Sequence, residues 1–257
     1  MKPRSRTRSA ARLSLVAGGV LLAGVAVTGC GNSDLDDAEP EDRAFAFSGQ
    51  ELTVDSDDSQ LELVPGGGKD VKVTRWFAGW TVGGSSKTSW AMDGSTLKLR
   101  MHCSGISSNC RSKHRIEVPR GVKVTVKEKN GGVMASGFDK DLKISSDNGE
   151  VRVADSTGAL DLASSNGAVT ATGSTAHQVR ARSQNGAIRI SLKQVPDRVE
   201  TTNDNGSTRI ELPRAPYKVD AHSDNGGTKV DVPRDDASRH TVSARSDNGE
   251  VKVVTAG

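Results

Sequence analysis

Cys103 and Cys110 stand with six residues between them, and His102 and His114 lie on either side. Thiols and imidazoles at close range can ligate a metal, but Cys-x6-Cys is not a zinc spacing, and in an exported chain the pair reads as a disulfide. Asp147, Asp204, Asp224 and Asp247 each precede an Asn-Gly dipeptide, so stacking would align carboxylates able to hold calcium. Ser165 and Gln184 interrupt that column, and Asp-Asn-Gly is a turn sequence in its own right, so no metal is assigned. Arg152, Arg189, Arg209 and Lys229, with Lys252, recur at one position and would form a basic stripe that attracts an anionic polymer. The competing reading of that stripe is a charged face that keeps stacked strands soluble. Trp76, Trp80 and Trp90, with Phe77, offer either a sugar-stacking or protein-docking surface or a bulky cap over an open core. The five histidines share no ligand spacing, no nucleophile elbow occurs, and no acidic pair stands out. No catalytic residue and no cofactor follow from these patterns.

A repeat must position these groups. Asn-Gly begins at Asn130, Asn148, Asn166, Asn185, Asn205, Asn225 and Asn248, at intervals of 18, 18, 19, 20, 20 and 23 residues. Period-two apolar alternation enters and leaves each one, as at Leu142/Ile144 and Val151/Val153, so each unit is strand, turn, strand. Four apolar side chains cannot stabilise a unit alone, and neighbours must stack around a shared core. A degenerate first unit centres on Asp58, with Leu52 and Val54 before it and Leu61 and Leu63 after it. The pattern predicts an all-β fold, a parallel β-solenoid of seven to eight coils with 18–23 residue repeats; the alternative is a meander of β-hairpins. In the solenoid, Asn stacks on Asn as a ladder and Gly supplies positive φ at the corner. The stretch from Pro65 to Arg115 breaks the repeat and reads as an irregular insertion. The last unit ends four residues after Val253, an open end through which rods could self-associate.

The N-terminus carries Lys2, Arg4, Arg6, Arg8 and Arg12 ahead of an apolar run from Leu13 to Val27. At about 15 residues that run is short of a membrane span and reads as a secretory signal. Without the signal the chain has 30 basic against 32 acidic residues, because all five basic residues of the first 29 are lost. Aromatics are only 3% of the chain, and no basic patch interleaves with them, so nucleic-acid binding is excluded as a reading.

Val27-Thr28-Gly29-Cys30 resembles the lipobox of bacterial lipoproteins, which implies that Cys30 is lipidated and anchors the chain. The acidic segment that follows reads as a solvated tether. The expected organisation is a signal peptide at 1–29, the lipidated Cys30 and tether at 30–44, an N-terminal coil and cap with the aromatic insertion at 45–120, and Asn-Gly repeats at 121–257. With the step Ile116-Glu117-Val118-Pro119-Arg120-Gly121-Val122 and the repeated Ser-x-Asn-Gly-x-Val-x-Val units, the chain resembles the bacterial β-strand-repeat "putative adhesin" lipoprotein family of unknown function. The resemblance implies a right-handed β-helix-like domain on the outer face of the cytoplasmic membrane, and it transfers no catalytic residues. The expected function is a non-enzymatic, lipid-anchored envelope rod that contacts a wall polymer or an envelope partner. The alternatives are a carbohydrate-active β-helix enzyme and a self-associating structural rod.

Overall fold

Period-two alternation cut by Asn-Gly corners dictates short strands, each with one buried face. The computed structural model describes Leu35 and residues 37–257; the signal segment and Cys30 lie outside the described residues. β1 (Glu41–Phe45) is followed by a first coil of β2 (Glu51–Ser56) and β3 (Gln60–Gly66). β4 (Val71–Val82) and β5 (Ser85–Asp93) lead to a second coil of β6 (Thr96–Ser104) and β7 (Ser107–Pro119). The third to fifth coils are β8 (Lys123–Glu128) with β9 (Val133–Ser136), β10 (Leu142–Ser146) with β11 (Val151–Ala154), and β12 (Leu160–Ser164) with β13 (Val169–Ser174). The sixth and seventh are β14 (Gln178–Asn185) with β15 (Ile188–Leu192) and β16 (Arg198–Asn205) with β17 (Thr208–Leu212). The eighth and ninth are β18 (Lys218–Asn225) with β19 (Thr228–Asp231) and β20 (Thr241–Asn248) with β21 (Val251–Thr255).

The two strands of a coil belong to different sheets, one of eleven strands and one of ten, and strands of stacked coils pair in parallel. The chain is therefore a β-solenoid rather than a hairpin meander. Leu142, Ile144, Val151 and Val153, each at most 1% exposed, show the four inward side chains of one coil. One continuous core runs from Phe45 to Val253. At about 4.8 Å per coil the stack is about 38 Å long.

Stacking explains every residue of the corner motif. Each turn Asn donates its side-chain N–H to the side-chain oxygen of the neighbouring turn, from Asn148 to Asn130 at 2.8 Å and from Asn166 to Asn148 at 2.8 Å. Asp58 accepts from Asn130 at 2.7 Å, which makes it the first rung. The serine two residues earlier donates to the corner glycine carbonyl of the preceding coil, Ser146 to Gly131 and Ser164 to Gly149. The glycine expectation needs correcting. Of the seven corner glycines only Gly206 and Gly249 have positive φ. What the others require is space: a Cβ on Gly149 would lie 2.0 Å from the Gly131 carbonyl oxygen, and one on Gly167 would lie 2.2 Å from that of Gly149. Ser59 can replace glycine in the first coil because β6 and β7 run past it as an extension, and its Oγ instead meets Ser112 Oγ at 2.5 Å.

The coils do not stack in chain order. The eleven-stranded sheet runs β1-β4-β7-β3-β9-β11-β13-β15-β17-β21-β19, and the ten-stranded sheet gives the same sequence of coils. The first coil lies inside the second, and the ninth lies between the seventh and the eighth. The ladder follows the same permutation, Asn248 donating to Asn205 and Asn225 to Asn248, each at 3.1 Å. Among the described residues the open end is consequently the eighth coil, where no further strand pairs with β18 or β19, and not the C-terminal coil. Residues 233–235 cover the start of the β18 edge, pairing with Tyr217 just before β18 and donating from the Arg234 guanidinium to the Val219 carbonyl at 3.4 Å.

Candidate functional site

The outer face of the eleven-stranded sheet gathers the basic residues into one row. Arg152 lies beside Thr170 and Thr170 beside Arg189; the row continues Arg189, Arg209, Lys252, Lys229 on four adjacent strands. The coil permutation brings Lys252 between Arg209 and Lys229, an adjacency that chain order conceals. Three members are partnered by a glutamate two residues away along the chain: Arg152 by Glu150 at 2.7 Å, Arg209 by Glu211 at 2.7 Å and Lys252 by Glu250 at 2.6 Å. Arg189 and Lys229 make no ion pair among the described residues. Small residues flank the centre of the row (Ala168, Ala187, Thr172, Ser191), leaving a flat strip.

The stretch read as irregular is regular, which corrects the expectation. β4 pairs antiparallel with β7 along eleven residues, and β5 with β6 along nine. Leu97, Leu99, Ile116 and Val118 are core residues of the second coil, with its corner drawn out into an arm. Lys113 is level with Gln60 at the start of β3, so the six residues Ser107–Ser112 carry β7 about 20 Å beyond the corner line. Cys103 of β6 and Cys110 of β7 form the expected disulfide and clamp the two ribbons of the arm. Gly79 lies beneath it, where a Cβ would stand 2.9 Å from Cys110 Sγ.

The three tryptophans do not form one cluster. Trp90, on β5, turns inward and packs against the core, with the Arg75 guanidinium 4.3 Å from its ring centroid and His114 edge-on at 6.4 Å. Arg75 is paired to Glu41 at 2.7 Å. This group closes the core end, the capping role. Trp76 and Trp80 share the outer face of β4 with Val82, Trp76 beneath Lys113 and Trp80 38% exposed. Sequence reasoning missed Val82 and Ile106 on the arm, and the signal that could have found them is charge. Residues 71–92 and 94–116 contain no Asp or Glu.

His114 is 3% exposed, and burial, reinforced by the Arg75 charge, holds its pKa down to about 4. The folded state therefore binds fewer protons than the unfolded chain between pH 6.5 and 4, and stability falls as pH drops through that window. Unfolding at pH 7 and pH 4.5 is expected to show a loss of about 2 kcal/mol from this residue. The loss should vanish in His114→Leu; an unchanged pH dependence in that variant would refute the assignment.

The ten-stranded sheet carries a shallow groove of about 300 Å³ on its outer face, lined by Lys123, Asp141, Lys143, Asp161, Arg180 and Glu200 among others. Three of its four carboxylates are engaged, Asp141 by Lys123 at 3.5 Å, Asp161 by Arg182 at 3.6 Å, and Glu200 by Arg180 at 2.8 Å and by Arg198, while Glu51 makes no ion pair among the described residues. Hydrogen bonds from Arg198 and then Arg180 hold Glu200 below the usual carboxylate range. A glycosidase acid needs the opposite shift. Among the described residues no three His, Cys, Asp or Glu side chains converge on a metal position, the turn aspartates included.

No curated protein is similar to the chain. Among solved structures, a "putative adhesin" of Bacteroides fragilis NCTC 9343 is similar at 12% identity, over 85% of this chain and 97% of that one, with a TM-score of 0.53. A "putative adhesin" of Parabacteroides merdae ATCC 43184 is similar at 9% identity, over 85% and 97% of the two chains, with a TM-score of 0.48. The first of these likenesses shows a shared fold. Residues 122–256, from the third coil through the ninth, match the family described as Toastrack DUF4097. The repeated corners, the two largely parallel sheets and this match agree, and the chain belongs to the Toastrack DUF4097 family.

Proposed function

We propose that the chain is a non-enzymatic envelope protein, lipid-anchored through Cys30 on the extracytoplasmic face, whose rod presents the eleven-stranded sheet to an anionic wall polymer. One observation carries the reading. Arg189, Arg209, Lys252 and Lys229 sit directly opposite one another on adjacent strands, about 4.8 Å apart. Like charges so placed repel, and each pair costs a few tenths of a kcal/mol or more. Glu211 and Glu250 offset two of the four, and a polyanion lying along the strip would offset the rest. The relatives named as adhesins are consistent with a surface role, and the ion-paired carboxylates of the groove count against the carbohydrate-active alternative.

The test is binding of residues 31–257, the compact unit that holds every described strand, to purified wall sacculi with and without their anionic polymers. Binding should weaken with salt and disappear from stripped sacculi, and Arg189→Glu with Lys229→Glu should weaken it at least tenfold. Equal binding to stripped sacculi, or none to either, sinks the polymer reading. Anchoring is checked separately by incorporation of a labelled acyl chain into the full-length protein, which Cys30→Ser should abolish.

A further inference from the structure

We infer that the arm formed by β4 to β7 is a docking element for the surface of an anionic phospholipid bilayer. Its tip is apolar and open. Ile106 is 90% exposed and Val82 53%, with Trp80 at 38% one alternation back along the strand. These two aliphatic residues meet across the tip, where Ile106 N–H donates to the Val82 carbonyl at 2.9 Å. An exposed aliphatic tip with a tryptophan just behind it matches the layering of a bilayer interface, where aliphatic groups enter the acyl boundary and indole rings sit among headgroups.

Charge selects the partner. Residues 71–119 hold eight Lys and Arg against two Asp and Glu, whereas the chain beyond the signal is acidic overall, with 30 basic and 32 acidic residues. Part of that arm charge is committed: Arg100 to Asp55 and Asp57, Lys113 and Arg115 to Glu62, Lys98 to Asp93. Lys87 and Arg111 are exposed on the arm beyond the corner line and make no ion pair among the described residues, and Lys87 lies beside the exposed His102. Basic residues behind an apolar tip are drawn to a negatively charged leaflet and held there within a Debye length.

The described chain begins beside the arm. Leu35, upstream of β1, lines a notch at the base of the arm, with Met101, Cys110 and Arg111 on the arm side and Asp58, Ser59, Asn130 and Gly131 on the corner side. Four residues lie between Cys30 and Leu35, a reach of at most about 18 Å along the chain. This part of the inference rests on the reading of Cys30 as the lipidated residue; the exposed tip and the charge do not. The disulfide and the packing of Gly79 under Cys110 keep the tip in one shape before it meets the surface.

The test uses residues 31–257, which lack Cys30, so that binding cannot come from acylation. The chain is sedimented with vesicles of phosphatidylglycerol and phosphatidylcholine in equal parts, and with vesicles of phosphatidylcholine alone. The expected result is pelleting with the anionic vesicles only, and a loss of at least tenfold in apparent affinity for Val82→Asp with Ile106→Asp. Lys87→Glu with Arg111→Glu should give a similar loss. These side chains are exposed, and an unchanged circular dichroism spectrum will show that the variants fold. Arg189→Glu with Lys229→Glu on the rod should leave vesicle binding unchanged. A chain that stays in the supernatant overturns the inference. So does binding that is insensitive to the tip variants or abolished by the rod variants. None of these outcomes bears on acyl labelling of Cys30, which is measured in the full-length protein.

Discussion

Replacing Gly167 by alanine is expected to destabilise the rod by about 3 kcal/mol or more, a large effect for one methyl group at a surface corner. The added Cβ would stand 2.2 Å from the Gly149 carbonyl oxygen and 2.5 Å from its carbon. Neither is a side chain that can rotate away. The coils must part, and two sets of hydrogen bonds part with them: the Asn166 to Asn148 rung at 2.8 Å, and the Ser164 bond to Gly149 at 2.8 Å. Gly167 also bears the next layer, because a Cβ on Gly186 would meet the Gly167 oxygen at 2.3 Å. The control is Gly132→Ala, where the nearest atom to the new Cβ is 3.6 Å away, and whose cost should stay below about 1 kcal/mol. Urea unfolding of both variants decides the matter; equal midpoints would show that the column is not held apart by contact.

The second expectation turns on the order of the coils. Val253 lies five residues from the last residue of the sequence, counting both, yet it is 0% exposed, with coils stacked on both sides. Val230 lies 23 residues earlier in the terminal coil, where only one neighbour covers it. Val253→Asp buries a carboxylate without a partner and is expected to cost over about 4 kcal/mol, enough to detach the eighth and ninth coils together. Val230→Asp, at the half-covered end, should cost less than half as much. Limited proteolysis reads the difference, since Val253→Asp should open cleavage sites from Pro213 onward. If the change nearer the middle of the chain proved the more damaging, the permuted order would be wrong.

Much of the rod was legible because its corner motif is repetitive and each residue type has one job. Asn can ladder, serine can reach one carbonyl, and alternating Val, Ile and Ala can face one core. Asp58 was readable as a corner from its flanking Leu52, Val54, Leu61 and Leu63 alone. Coil order was not legible, because the coils present nearly equivalent inward faces and corners, and no local feature names a neighbour. The longest interval, the 23 residues from Asn225 to Asn248, is the trace left by the chain passing back over one layer. The second coil escaped notice because its apolar pairs, Leu97/Leu99 and Ile116/Val118, are separated by an arm instead of a corner. Glycine was expected for its backbone freedom, whereas close approach of stacked carbonyls is the stronger demand, and contact across coils leaves no mark on one repeat. At the basic row, Arg152, Arg189, Arg209 and Lys229 were visible as a column, but not the partnering of Arg152 and Arg209 by glutamates two residues away along the chain.

The exchanged positions of the first and last coils also bear on how such a molecule changes size. Everything specialised about the ends, the arm, the closing Arg75 and Trp90 group, and the returning loop before β20, lies outside the third to seventh coils, in β1, β4, β5 and the first two coils on one side and in the eighth and ninth on the other. The third to seventh coils are interchangeable in corner chemistry and meet their neighbours through the same rungs. Duplicating or deleting one 18–20 residue unit there would lengthen or shorten the molecule by about 4.8 Å and leave both ends intact. Reach is thus a property that genetic change can adjust in single, evenly sized steps.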